Sequence, residues 1–160
     1  MRMKRTWLMV WFISMGLVYQ AVAAQKAPPA PSAESKCQVC GMFVAKYPDW
    51  TGVIVYKDAT PVYFDGPKDL FTYYLDSGKY DPARKRSDIA ALYVKDYYSL
   101  NFIDGRKAFY VFGSDVNGPM GRELVPFAKK ADAEGFLHDH KGMKILRIGE
   151  ITAAMLKTLD

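Results

Sequence analysis

The sequence predicts an α+β domain in which two ββαβ-type units pack into one compact domain. Each half of the chain after residue 36 reads as extended segments, then one helical segment, then another extended segment. The extended segments are rich in β-branched and aromatic residues, and apolar residues recur at helical spacing in the helical ones. Antiparallel strand pairs with helices between them are typical of the α+β class.

The first unit is predicted from four local patterns. Residues 51–56 (TGVIVY) and 61–64 (PVYF) favour a hairpin with a turn between them. A helix is expected to begin at Pro67, because the fixed φ of proline suits the first helical position. Residues 89–94 (IAALYV) then predict a third strand.

The second unit repeats this order with weaker signals. Two strands are expected, joined by a turn at Asp104-Gly105, and a further extended segment, a helix, a strand and a closing helix follow. These segments are, in order, residues 97–102, 107–112, 124–127, 130–138, 144–148 and 151–159.

Residues 1–24 have the pattern of a secretory signal peptide. Basic residues lie within the first five positions, residues 7–18 are almost continuously apolar, and cleavage is expected after Ala23 or Ala24. The apolar run is much shorter than the about 20 residues of a spanning helix, which argues against the alternative of an uncleaved anchor. No Cys lies near the cut, so no lipid anchor is expected. No other segment of the sequence is long and apolar enough to span a bilayer, so no stable membrane span is expected after cleavage. The expected compartment is a bacterial periplasm.

The expected mature chain has a short tether and one folded domain. Residues 25–36 (QKAPPAPSAESK) are rich in Pro, Ala and Ser, and they predict a flexible tether. Residues 37–160 form the predicted domain, in which half-hydrophobic composition supports a buried core.

Composition excludes several function classes. The net charge is +5, but three of the basic residues lie in the leader and the others are interspersed with acids, so no nucleic-acid partner is expected. Two cysteines exclude a disulfide-dense scaffold and a four-cysteine zinc site. Neither a phosphate-binding glycine loop nor a nucleophile elbow is present in the sequence, and no enzymatic activity is predicted.

The cysteines form a C-x-x-C motif at Cys37 and Cys40, and several chemistries are compatible with it. A thiol oxidoreductase uses this spacing, but normally between a strand and a helix, whereas a Pro-rich segment precedes it here. A structural disulfide is the simplest alternative. A zinc site would need two more ligands, for which His138 and His140 are the candidates in the sequence.

Two methionines favour a soft metal ion. Met42 follows Gly41 directly after Cys40, and Met120 lies in the sequence GPMG, where glycines leave the thioether accessible. Thiolate and thioether ligands select Cu(I) over zinc, calcium or magnesium. A thioether also binds without losing a proton, which suits an ion that must be passed on.

These motifs resemble the NosL family of exported copper-binding accessory proteins for nitrous oxide reductase maturation. The resemblance rests on CGMFV and on VKDYYSLNFIDGRKAFYVFGSDVNGPMGRELVPFA. It implies an α+β fold of two ββαβ-type units and Cu(I) bound through Cys40, Met42 and Met120. Asp96 matches the Asp of the family's Asp-Tyr pair, whose role is unassigned. The chain departs from the family in lacking a lipid-attachment Cys at the cleavage site and a His in the segment that follows CGM.

The sequence therefore predicts an exported carrier that binds Cu(I) through Cys and Met sulfurs and delivers it to an acceptor protein. The resemblance implies nitrous oxide reductase or its maturation machinery as that acceptor. Cys37 and His140 are further candidate ligands. A thiol oxidoreductase using Cys37 and Cys40, and a zinc-stapled interaction module, are the alternatives.

The leader generates a first prediction. The exported protein should begin at Ala24 or Gln25 and carry no added lipid, because residues 1–24 hold the cleavage signal and no Cys. Intact-mass spectrometry of the exported form measures both. An uncleaved N-terminus, or a mass increased by acyl chains, would contradict the prediction.

Overall fold

The computed structural model describes residues 27–160. The predicted signal peptide, residues 1–24, and the first two residues of the predicted tether lie outside this range. None of the helices in the described region has the length and apolar character that a membrane crossing needs.

The first unit is a four-stranded antiparallel sheet covered by a helix. The elements are β1 (Gly52–Tyr56), β2 (Pro61–Phe64), α1 (Pro67–Leu75), α2 (Ser77–Tyr80), β3 (Ile89–Lys95) and β4 (Phe102–Asp104), with 3₁₀ turns at Val44–Lys46 and Arg86–Asp88. The strand order is β2-β1-β3-β4, and α1 begins at Pro67 as predicted. A single residue, Asp76, leaves helical geometry and separates α1 from the short helix α2.

The second unit is a three-stranded antiparallel sheet with a small hairpin inserted. Its elements are β5 (Phe109–Phe112), the hairpin β6 (Asn117–Gly118) and β7 (Gly121–Arg122), β8 (Val125–Phe127), α3 (Lys130–Asp139) and β9 (Lys144–Leu146). The strand order of the sheet is β8-β5-β9. A 3₁₀ turn at Ile148–Glu150 and the helix α4 (Ala153–Lys157) close the chain. The series β1-β2-α1-β3 and β5-β8-α3-β9 confirm the predicted α+β class and the two ββαβ-type units.

The strand expected at residues 97–102 is wrong. The chain turns after Asp96, because the carboxylate of Asp96 accepts a hydrogen bond from the amide of Ser99 at 2.8 Å, and Leu100 has a positive φ of 57°. The strand begins only at Phe102. Its expected partner, β5, lies in the other sheet, so Asp104-Gly105 joins two sheets rather than two arms of a hairpin.

The closing helix is also shorter than expected. The 3₁₀ turn at Ile148–Glu150 ends the last strand early, and Thr152 then caps α4 by accepting from the amide of Met155 at 3.3 Å. The hydroxyl of Thr152 thus sets the helix start at Ala153, two residues into the segment predicted as helical.

Strand β5 lies between two apolar cores. Tyr110 and Phe112 contribute to a core with α1, while Val111, on the opposite face, contributes to a core with α3. The ring of Tyr110 meets that of Phe71 edge-on at 4.9 Å. Side chains alternate between the two faces of a strand, so β5 packs against the first unit with one face and against α3 with the other. Full burial of Tyr110 and Val111 is consistent with this position.

Asp96 links the two units through hydrogen bonds. Its buried carboxylate accepts from the amide of Ala128 at 2.7 Å as well as from Ser99, and the amide of Tyr97 donates to the carbonyl of Pro126 at 2.9 Å. Burial opposes the negative charge, but the amide donors outweigh it and lower the pKa of Asp96 below its usual range. The family residue of unassigned role therefore lies at the junction of β3 and β8.

The described part of the expected tether contacts the domain. Pro28 is buried, the carbonyl of Ala30 accepts from the hydroxyl of Tyr63 at 3.3 Å, and the carbonyl of Ser35 accepts from the amide of Val44 at 2.9 Å. These contacts hold residues 28–36 against the first unit.

The Asp96 junction generates a second prediction. Asp96→Asn should lower the free energy of unfolding at pH 7 by about 2 kcal/mol, because one charge-assisted acceptor is lost from a buried site. A lowered native pKa contributes stability above the unfolded pKa of about 4, and this contribution is lost as the pH falls through the native value. The difference between parent and variant should therefore shrink in acid.

Urea unfolding at neutral and acid pH measures this difference. Asp49→Asn, a change at an exposed position, is the matched control and should leave stability unchanged. Equal stability of the parent and the Asp96 variant at pH 7 would contradict the role of Asp96 as a junction.

Candidate metal centre

The two cysteines lie on a tight loop that folds back on itself. The amide of Cys37 donates to the carbonyl of Met42 at 2.8 Å, and the amide of Gly41 donates to the carbonyl of Cys37 at 2.9 Å. Gly41 has a φ of 76°, a conformation that glycine adopts without steric cost. An antiparallel bridge between Lys36 and Phe43 closes the loop. Both cysteines are free thiols.

The loop packs against the start of α1, where two carboxylates meet the thiols. The Sγ of Cys37 donates to Oδ2 of Asp69 at 3.2 Å, and the Sγ of Cys40 donates to Oδ1 of Asp65 at 3.5 Å. One ligand atom from each of these four residues lies within 4.8 Å of the others. We call Cys37, Cys40, Asp65 and Asp69 the thiol–carboxylate cluster.

Burial dominates the electrostatics of this cluster. Cys37, Asp65 and Asp69 are each less than a tenth exposed. Desolvation raises the pKa of Cys40 to about 12 and the pKa of Cys37 further above its usual range, and the nearby carboxylates add to the effect. Burial also raises the pKa of Asp69. The thiols are therefore protonated donors at neutral pH when no cation is bound.

One carboxylate oxygen of the cluster has no donor. Among residues 27–160, nothing hydrogen-bonds to Oδ2 of Asp65, although the atom is buried. An unsatisfied buried carboxylate oxygen is costly, and a bound cation is one group that satisfies it. The donor set of two sulfurs and two carboxylates is thus suited to a metal ion.

The loop lacks the features of a thiol oxidoreductase. The motif is followed by the 3₁₀ turn Val44–Lys46 instead of an α-helix whose N-terminus would face the thiol. Reactive cysteines have lowered pKa values, whereas those of Cys37 and Cys40 are raised. Both observations argue against the oxidoreductase alternative.

The β6-β7 hairpin brings Met120 to the same helix start. Met120 lies in the turn of the hairpin with 43% of its surface exposed, and its carbonyl accepts from Nζ of Lys68 at 3.0 Å. Lys68 immediately precedes Asp69 of the cluster. Met42, beside Cys40 in sequence, is half-buried. The backbone of Met120 and, through Cys37, the loop that carries Met42 therefore both contact the first turn of α1.

Glu123 fixes this hairpin on α1. Its carboxylate accepts hydrogen bonds from the amide of Lys68, in the first turn of α1, and from the amide of Leu124. A Cβ at position 66 would collide with this carboxylate, so Gly66 is required for the close approach. Glu123 is completely buried, and desolvation raises its pKa to about 8.

Two sequence-predicted residues lie elsewhere. His140 stacks on the ring of Phe136 at 4.3 Å, and its Nδ1 is 3.2 Å from Oδ1 of Asp115. It is not among the four residues of the cluster. Asp96 belongs to the junction described above.

The sequence interpretation missed Asp65, Asp69 and Glu123. Asp65-Gly66-Pro67 has the local pattern of a helix start, and an acid in the first helical turn is common for dipole reasons alone. Glu123 is separated from Lys68 by 55 residues. The available signal was the pair Asp65 and Asp69, four residues apart at a helix start. By itself this pair does not distinguish a metal site from acids that stabilise the helix N-terminus.

Comparison with known proteins identifies the family. The NosL family model matches residues 28–156. The chain belongs to the NosL family. Among curated NosL relatives, the copper-binding lipoprotein NosL of Stutzerimonas stutzeri is 30% identical over 138 residues, which cover 81% of this chain and 68% of that protein. Its counterpart in Achromobacter cycloclastes is 28% identical over 149 residues, which cover 86% and 74%.

A solved NosL structure has the same fold. The crystal structure of the copper chaperone NosL from Shewanella denitrificans matches with a TM-score of 0.68 at 30% identity, covering 82% of this chain and 99% of that one. The two curated NosL relatives are named lipoproteins. These names conflict with the expectation that the exported form of this chain carries no lipid. Both cysteines of the sequence belong to the thiol–carboxylate cluster, so they do not indicate where a lipid would be attached.

Glu123 generates a third prediction. A carboxyl whose native pKa is raised binds more protons in the folded state, so its contribution to stability falls as the pH rises from about 4 to 8. Glu123→Gln keeps the oxygen that accepts from Lys68 and Leu124 and removes the titration. The free energy of unfolding should therefore decrease less from pH 5 to pH 8 in the variant than in the parent.

Urea unfolding across this pH range is the measurement. Glu34→Gln, at an exposed position, is the control and should follow the parent. Parallel pH profiles for the parent and the Glu123 variant would mean that this carboxyl does not titrate between pH 5 and 8.

Proposed function

We propose that this chain is an exported copper carrier that holds Cu(I) through cysteine and methionine sulfurs and delivers it to an acceptor protein. The observation that carries the proposal is the convergence of the cysteine loop and the Met120 hairpin on the first turn of α1. The names of the NosL relatives, copper-binding lipoprotein and copper chaperone, support copper as the cargo.

We assign the ligands Cys40, Met42 and Met120, with Cys37 as a further sulfur. Cys40 would supply the anionic ligand, which offsets the charge of the ion and should dominate affinity. Met42 is two residues away, and the positive φ of Gly41 lets the backbone turn between them. Thioethers are soft and neutral, so they favour Cu(I) and release it without a change of protonation. His140 is left out of this set because its contacts are with Phe136 and Asp115.

The exposure of the sulfurs supports transfer rather than storage. Met120 is 43% exposed on a hairpin turn, and Cys40 is only half-buried, while Cys37 is 3% exposed. An acceptor that offers its own sulfur or nitrogen ligand could therefore reach the ion from the Met120 side. Ligand exchange of this kind needs no catalytic group, and we propose no enzymatic activity.

The compartment and the acceptor follow from the sequence and the family. A leader with a cleavage signal and relatives named as lipoproteins both support a location outside the cytoplasm. We propose periplasmic localisation. The acceptor would be a copper protein, with nitrous oxide reductase or its maturation machinery as the partner that the family resemblance implies.

The copper site generates a fourth prediction. Cys40→Ser should weaken Cu(I) binding most, and Met42→Leu and Met120→Leu should each weaken it by about tenfold, since leucine keeps the bulk and removes the sulfur. Competition with a chromophoric Cu(I) chelator, under reducing conditions and with the mature chain, measures the affinities.

Met143→Leu is the matched control, because Met143 is 67% exposed and lies beside Gly113 in the second unit. It should bind Cu(I) as the parent does. If Met120→Leu binds as tightly as Met143→Leu, Met120 is not a ligand and GPMG is only a turn.

A further inference from the structure

An open apolar groove lies between the end of β5, the start of β9 and helix α4. None of its lining residues belongs to the thiol–carboxylate cluster. We propose that this groove is the docking surface for the copper acceptor, and that it takes an acidic segment of that protein which also carries apolar side chains. The proposal rests on the proposed carrier function, because it names the chemistry of the partner that collects the ion.

The floor of the groove is apolar. Phe112 and Leu159 are buried and Met155 is half-buried. Met143 also lines the groove, and it is 67% exposed, more than any other large hydrophobic side chain among residues 27–160. The volume of the groove, about 480 Å³, is larger than a single side chain fills. A contiguous apolar surface with a polar rim is typical of a contact site for another protein.

Met143 combines a fixed backbone with an adaptable side chain. Its amide donates to the carbonyl of Phe112 at 2.8 Å, which holds the main chain at the end of β5. The side chain lies over Gly113, where a Cβ would be 2.7 Å from the sulfur. A methionine side chain is flexible and polarisable, so it adjusts to the shape of a bound partner. The exposed thioether therefore suits a surface that binds and releases.

The rim of the groove is positively charged. Arg122 and Lys144 line it, both are exposed, and none of the described lining residues is acidic. Neither cation forms an ion pair within the described part of the chain. Unpaired cations beside an apolar floor complement a segment with acidic and apolar residues. Complementary charges of this kind steer association and fix the orientation of the partner.

Charge also distinguishes this groove from another surface and another occupant. The groove between α1, α2 and α4 is lined by two lysines and two aspartates, so it has no preference for an acidic partner. A second copy of this chain is disfavoured, because a two-fold interface brings the same patch of both copies together. The charged residues of the patch are both cations, and they would repel their counterparts.

The groove is continuous with the exposed side of the proposed copper site. Arg122 lies in β7, two residues after Met120, and two residues of extended chain span about 7 Å. Leu159 of the floor is followed by Asp160, whose carboxylate accepts from Nζ of Lys68 at 3.1 Å. The same ammonium donates to the carbonyl of Met120. An acceptor seated in the groove is thereby held beside the exposed thioether, and ligand exchange becomes an intramolecular step.

The test uses the reduced mature chain and two synthetic peptides. Both peptides carry the same pair of cysteines, which accepts Cu(I). One peptide continues in Glu and Leu residues and the other in Lys and Leu residues. Fluorescence anisotropy of the labelled peptides measures binding to the copper-free chain. Metal analysis after rapid separation by size measures the transfer of Cu(I) from the loaded chain to each peptide.

The Glu–Leu peptide should bind the parent about tenfold more tightly than the Lys–Leu peptide, and it should receive Cu(I) faster. Lys144→Glu and Arg122→Glu should each weaken its binding, and the double variant should prefer the Lys–Leu peptide. Met143→Ser should weaken binding of both peptides, because the apolar contact is lost. Lys144→Glu and Met143→Ser should keep the Cu(I) affinity of the parent in competition with a chelator. Lys85→Glu, the same charge change at an exposed position outside the groove, is the matched control.

The outcomes separate this inference from the carrier function. Equal binding of both peptides to the parent, or Glu–Leu binding that Lys144→Glu and Met143→Ser leave unchanged, overturns the docking surface. It is also overturned if these variants alter self-association of the chain, or binding to phosphatidylglycerol vesicles, without altering peptide binding. A parent that binds no Cu(I), while peptide binding still responds to the groove variants, overturns the carrier function and leaves a groove for an acidic partner. If Arg122→Glu changes the circular dichroism spectrum, Lys144→Glu decides the question.

Discussion

The site depends on one contact, the hydrogen bond that the carboxylate of Glu123 accepts from the amide of Lys68 in the first turn of α1. Gly66 precedes this helix and has no side chain to cap it, so the amide of Lys68 finds its acceptor in a residue of the opposite unit. The side chain of Lys68 in turn donates to the carbonyl of Met120. Through this pair of contacts the hairpin that carries Met120 is held against the start of α1, where Asp69 lies in the first turn and Asp65 just precedes the helix. The relative position of the candidate sulfur and carboxylate ligands is thus set by a single helix terminus.

A helix start is a physically reasonable place to gather so many acids. The partial positive charge of the terminus favours carboxylates there, which reduces the cost of burying Asp69 and Glu123. The compensation is incomplete, because burial still raises the pKa of both groups. Buried groups with raised pKa values and an unpaired oxygen on Asp65 reduce stability relative to an apolar packing of the same volume. Such a cluster is consistent with a binding role, since a bound cation would satisfy the buried carboxylates that lower stability.

Local patterns were sufficient for most of the fold and insufficient for the site. The hairpin of β1 and β2, the start of α1 at Pro67 and the order of both ββαβ units follow from periodicity and turn residues within a few positions. The strand predicted at residues 97–102 is wrong because the Asp96 carboxylate imposes a turn by accepting from the amide of Ser99, and a contact with Ala128, 32 residues away, holds that carboxylate in place. Asp65 and Asp69 were invisible for the same reason: their partners Cys40 and Cys37 lie 25 and 32 residues away, and only the fold makes them neighbours.

Under the proposed function, the site would have an outer delivery side and a buried end. The candidate copper ligands lie outward, with Met120 43% exposed and Cys40 half-buried, whereas Asp65 and Asp69 are 1% and 6% exposed. An ion that prefers sulfur would then be held where an acceptor can approach. The Cys40 thiol donates to Asp65 at 3.5 Å, so uptake of copper by Cys40 would displace this proton and break the contact. The contact between Cys37 and Asp69 at 3.2 Å lies deeper, and it would keep the loop attached to α1 while the outer ligands exchange.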